Sequence, residues 1–126
     1  LKGEDRRHVL ARLQPTLDVD RLSDLQYRCQ QVNVTDALLD YVQRLVLYTR
    51  QAPEFAYGLS PRGALALLSC AKSWALIDDR LYVVPEDVQA VLPSVVEHRL
   101  RETADFSGHG AGGLTQRLLS KVDIIG

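Results

Sequence analysis

The run SPRGALALLSCAKSWALI, Ser60 to Ile77, decides the fold. Ser60 can accept hydrogen bonds from the free N–H groups of a helix start. Pro61 falls at the first helical position, where its missing donor costs nothing. From Ala64 the pattern reads Leu65, Leu67, Leu68, Ala71, Trp74, Ala75, Leu76 and Ile77. The small residues Ala64, Ala66, Ala71 and Ala75 allow neighbouring helices to come close, so this is read as the central helix of an all-α bundle. Trp74 and Tyr48 stand at helical spacing within apolar stripes and are read as core. Asp78-Asp79-Arg80 ends the helix.

Working outward, helical periodicity continues on both sides. Upstream, Thr35 caps a helix predicted from Asp36 to about Arg50, with Asp36 and Arg50 placed to suit the helix dipole. Its stripe of Leu38, Tyr41, Val42, Leu45 and Tyr48 is wide enough to imply more than one neighbour. Gln51 to Leu59 reads as a loop. Asp18 caps an earlier helix carrying Val19, Leu22, Leu25 and Cys29, and Glu4 to Leu13 forms another before Pro15. Downstream, Leu81–Val84 and Val32–Val34 could pair as a tiny two-stranded ribbon. Pro85-Glu86-Asp87 opens a helix whose Val88, Val91, Leu92, Val95 and Val96 face inward, and Pro93 predicts a kink or a two-part helix. Residues 103–113, with four glycines, read as a linker, and 114–126 as a short amphipathic helix and tail packing on the same domain.

Composition narrows the function. The chain has 126 residues, 46% hydrophobic and 25% charged, with a net charge of -1. That length fits one domain, with a core large enough to need neither disulfide nor metal. A near-zero charge speaks against general nucleic-acid binding, and no apolar run approaches a membrane span. There is no Met and the chain opens Leu1-Lys2-Gly3, which reads as a piece of a longer protein. Cys29 and Cys70, without C-x-x-C spacing or a secretory signal, read as reduced, packed thiols in a cytoplasmic protein. His8, His98 and His109 form no ligand pair, so no metal site is expected. The chain contains no G-x-x-x-x-G-K-[ST] and no recognisable triad, and so no complete catalytic apparatus of its own.

The distinctive feature is Gly58-Leu59-Ser60-Pro61-Arg62-Gly63. Arg62 lies in the first turn of a helix, the end that favours anions, and a cation there loses a few tenths of a kcal/mol of dipole energy. Pairing with an anion such as phosphate would offset that loss, as would a carboxylate elsewhere in the bundle. The basic cluster His98-Arg99-Leu100-Arg101 is accounted for by its place at a helix C-terminus.

Several segments in order resemble one family: Tyr41-Val42, Leu45-Val46 and Thr49-Arg50; Gly58 with Ser60-Pro61-Arg62; Ala71 and Ala75; Val84-Pro85-Glu86-Asp87-Val88; and His98-Arg99-Leu100. Over roughly residues 32–101 the chain resembles the C-terminal helical lid of MoxR-type AAA+ ATPases, with magnesium-chelatase ATPase lids as relatives. The resemblance implies an AAA+ lid over residues 1–102, inactive alone, beside an upstream core that binds ATP and Mg²⁺. No cofactor is expected on the fragment itself. It implies that Ser60, Pro61 and Arg62 form the sensor 2 element, with Arg62 approaching the γ-phosphate. It further implies a homo-oligomeric ring, six-membered as a rule, in a chaperone-like remodelling or metal-insertion machine partnered by a von Willebrand A domain protein. Two departures stand out: Val84 replaces a capping Ser or Thr, and Asp78-Asp79-Arg80 replaces a Gly-Arg turn. The alternative is a nucleotide-independent, histone-fold-like interaction module.

Overall fold

The computed structural model describes residues 3, 5–52, 55, 58–107 and 111–126, with only the backbone at 98–107, 111, 112 and 114. Among the described residues six helices follow in order: α1 (Arg6–Arg12), α2 (Val19–Gln30), α3 (Asp36–Gln51), α4 (Pro61–Ile77), α5 (Pro85–Ser107) and α6 (Ala111–Lys121). Asp18, Thr35 and Ser60 cap α2, α3 and α4, each accepting from an N–H three residues on, at 2.7, 3.2 and 3.0 Å. Each side-chain oxygen satisfies one of the donors a helix start leaves free.

α4 packs on α2, α3 and α5, and α5 packs on α3, α4 and α6. The core joins Leu38, Tyr41, Val42 and Leu45 of α3 to Leu67, Ala71 and Ala75 of α4, Val88, Leu92 and Val96 of α5, and Leu118 of α6. Each large apolar side chain so buried contributes about 1.5–3 kcal/mol. The broad stripe of α3 therefore serves three neighbours, as its width implies.

The bundle is all-α, and the ribbon reduces to one parallel bridge between Asn33 and Tyr82. Asn33 donates to the Leu81 carbonyl at 2.8 Å, and Val83 donates to the Asn33 carbonyl at 3.0 Å. α5 runs through Pro93 as one helix. Residues 103–107 continue α5 and 111–113 open α6, where a linker was expected. Neither Gly nor Pro interrupts 94–107, so nothing stops propagation before Gly108. The start of the first predicted helix at Glu4, the Gly108–Gly110 part of the linker and His109 lie outside the described residues, as do the side chains of His98, Arg99 and Arg101.

Two burial expectations fail on α4. Trp74 is 48% exposed and Cys70 is exposed. The buried stripe is Gly63, Leu67, Ala71 and Ala75, stepping by four. Because neighbours close in on these small residues, bulkier side chains one position off the stripe stand clear of the contact. Cys29 is half-buried, its sulfur 3.7 Å from the Ser73 hydroxyl. α1 and α2 bury no residue fully, and Leu10, Leu13 and Val19 are exposed.

Candidate functional site

The head of α4 is built from two directions. Within the helix, the Ser60 hydroxyl accepts from the Gly63 N–H, Pro61 takes the first position and Gly63 is buried. Arg62, between them, points to the exposed side. Among the described residues its guanidinium has no hydrogen-bonding or ionic partner, so a carboxylate in this bundle is not seen to offset its dipole penalty.

The second direction is the end of α3. Thr49 is 1% exposed, and its hydroxyl donates to the Val46 carbonyl at 2.6 Å while accepting from the Leu59 N–H at 2.9 Å. The next residue, Arg50, donates from Nε to the Leu59 carbonyl at 3.0 Å. Both backbone polar groups of Leu59 are thus tied to two consecutive residues of α3, and the Leu59 side chain is itself 2% exposed. Gly58 makes this approach possible: a Cβ there would lie 2.6 Å from the Arg50 Cα. A flexible side chain can yield, but that contact is with backbone. Thr49 and Gly58 stood in the sequence pattern without an assigned physical role, and Arg50 with only its place at the helix C-terminus. The signal for one was a hydroxyl-bearing residue at the end of an apolar stripe, followed within twelve positions by a glycine and a capped helix start.

At the far end of α4, a second cluster was missed altogether. Asp87 is 1% exposed and accepts from both terminal nitrogens of Arg80, at 2.7 and 2.5 Å, and from the Val84 N–H at 2.8 Å. The last bond supplies half of a capping box, which is how α5 starts without a hydroxyl at Val84. Burial pushes the Asp87 carboxyl up, but the Arg80 hydrogen bonds, the Val84 N–H and the Arg80 charge outweigh it and hold the group below its ordinary value. The Arg80 guanidinium is correspondingly raised, chiefly by its bond to Asp87, against the opposing effect of burial. Asp79 adopts φ 57°, with its N–H and that of Arg80 bonding back to Leu76 and Ala75. Those two bonds form a Schellman closure with Asp where Gly is usual.

Chemically, the head of α4 suits an anion. The Ser60 hydroxyl is engaged as a cap and Arg62 is a cation, so the described residues of this face fit phosphate oxygens better than Mg²⁺. Among the described residues no group of three or more His, Cys, Asp or Glu could hold a metal ion. No described helix is long and apolar enough to cross a membrane.

Comparison with known proteins decides the family, because the AAA lid domain model matches residues 47–118. The chain belongs to the AAA lid domain family. The lid is 42% identical over 81 residues to the chaperone MoxR1 of Mycobacterium tuberculosis, covering 57% of this chain and 22% of that protein. It is 32% identical over 126 residues to the uncharacterized protein YeaC of Bacillus subtilis, covering 98% of this chain and 39% of that protein. The lid thus spans well under half the length of these curated relatives. A crystal structure of a "putative ATPase" from Cytophaga hutchinsonii superposes with a TM-score of 0.77 at 24% identity, over 98% of the lid and 44% of that chain. That last likeness concerns the fold. The family match and the MoxR relatives together fit the C-terminal lid of a MoxR-type AAA+ ATPase.

Proposed function

We propose that this lid supplies Arg62 as the sensor 2 arginine of an ATPase whose core lies elsewhere in the polypeptide. The observation that carries the reading is the exposed Arg62 on the first turn of α4, without a described partner, where the helix dipole favours an anion. A fixed guanidinium beside the γ-phosphate oxygens would stabilise charge in phosphoryl transfer and register whether that phosphate is present. ATP and Mg²⁺ would be held by the core, with Ser60 and Pro61 shaping the helix start that presents Arg62. The reading extends to a cytoplasmic ring, hexameric in the usual form of such ATPases, in which lid movement drives chaperone-like remodelling of a partner. That partner would be a von Willebrand A domain protein or an apo-metalloprotein.

Arg62→Ala in the polypeptide joining this lid to its core tests the reading. Loss of one fixed positive group at the transferring phosphate should lower ATP turnover by about 10²-fold or more. The thermal transition of the lid should not fall, since Arg62 supports no described contact and its charge opposes the helix dipole. Turnover within twofold of the parent would remove Arg62 from the mechanism. The isolated lid should bind ATP no tighter than about millimolar, a single cation and a helix end being a small part of a nucleotide site.

A further inference from the structure

We infer that Thr49 and Arg50 are positioning residues for Arg62, acting through the Leu59 backbone; this rests on the sensor 2 reading above. Leu59 stands three residues before Arg62, immediately ahead of the Ser60 cap. Its N–H is held by the Thr49 hydroxyl and its carbonyl by Arg50 Nε, at 2.9 and 3.0 Å. These two groups belong to the successive peptides on either side of the Leu59 Cα, so holding both restrains φ and ψ of Leu59 and fixes where the chain leaves for Ser60. Gly58 brings the two segments into backbone contact, leaving no slack on the N-terminal side.

Thr49 is anchored in turn. Its hydroxyl donates to Val46, which fixes its one proton inward and leaves a lone pair aimed at Leu59. The capped start of α4 takes its direction from the Leu59 backbone, and Arg62 falls within the first turn, where direction is set. Misplacing a charged group by about 1 Å can cost up to roughly 10²-fold in rate. The clamp therefore converts the rigidity of α3 into the placement of a guanidinium to which no described side chain of α3 bonds.

The experiment measures ATP turnover and nucleotide affinity in the polypeptide that joins lid and core. Thr49→Val keeps the shape but removes the hydroxyl, and turnover should fall about tenfold or more. Thr49→Ser restores the hydroxyl and should bring turnover back to within about twofold. ADP has no γ-phosphate, so its affinity should be unchanged, whereas affinity for a non-hydrolysable ATP analogue should fall. In an Arg62→Ala background, Thr49→Val should have no further effect on turnover, because the group it positions is gone.

An equal loss in both backgrounds, or a matching loss of ADP affinity, would make Thr49 merely structural and overturn the inference. Normal turnover for Thr49→Val with Arg62→Ala impaired would refute positioning and leave the sensor reading standing. If Arg62→Ala were itself normal, both would fall. Should Thr49→Val fail to fold, Arg50→Met carries the same test, since it keeps the aliphatic stem over Gly58 and deletes the donor to Leu59.

Discussion

Asp87→Ala removes, in one step, the acceptor of two Arg80 bonds and of the Val84 N–H. The Val84 bond alone resembles a helix cap, whose loss costs about 1 kcal/mol. Breaking a fully buried ion pair costs about 3–5 kcal/mol. Here Arg80 keeps Asp78 at 3.1 Å and the Tyr82 carbonyl at 3.1 Å, and its side chain retains 21% exposure. The loss on removing Asp87 should therefore lie below that range, at about 2 kcal/mol. Urea unfolding of the 126-residue chain at pH 7 would read this directly, and the thermal midpoint should fall by roughly 6–10 °C.

The pH dependence adds a separate check. Folded Asp87 holds its proton more weakly than the unfolded chain does, because its carboxyl is depressed below the ordinary value. Its stabilising contribution is thus complete above the unfolded carboxylate range near pH ~4 and lost as pH falls through the lower, folded value. The gap between parent and Asp87→Ala should narrow across that window. A gap under about 0.5 kcal/mol at pH 7, or one that stays constant under acid, would refute the account of this cluster.

Three further outcomes follow from single positions. Gly58→Ala should destabilise by about 1–3 kcal/mol in urea, because a Cβ would sit 2.6 Å from the Arg50 Cα; an unchanged midpoint would show that the contact yields. Asp79→Gly should raise stability by about 0.5–1 kcal/mol, since φ 57° suits Gly better than Asp, and a lower thermal midpoint would count against strain at this turn. The Thr115 hydroxyl is buried without a hydrogen-bond partner among the described residues, so Thr115→Val should stabilise by about 1 kcal/mol; a clear loss in calorimetry would reveal a bond not seen here.

Periodicity and caps carried most of the architecture. The stripe of α3, the Ser60-Pro61 start of α4 and the inward valines of α5 could all be read because each is a local signal repeated at helical spacing. Periodicity gives the apolar direction of a helix but not how far a neighbour reaches around it, and that is why Trp74 and Cys70 were placed wrongly. The two polar clusters were harder still. Arg80 and Asp87 meet across a turn with no regular spacing, and Thr49 meets Leu59 through a main-chain N–H, which has no letter in the sequence. Arg62 was legible because its charge contradicts its place on the helix. The bonds that hold its helix start in place contradict nothing, and only the structure reveals them.

The 17-residue length of α4 gives these clusters a mechanical meaning. At 1.5 Å per residue it is a rod of about 25 Å, and both its ends are pinned by side chains bonded to other elements. A tilt of roughly 10° about the Leu59 end would sweep the Arg80 end through about 4 Å, a greater span than any hydrogen bond tolerates. The Arg80–Asp87 pair would have to break or drag α5 with it. A displacement too small to matter at one end thus becomes, at the other, a choice between two discrete arrangements.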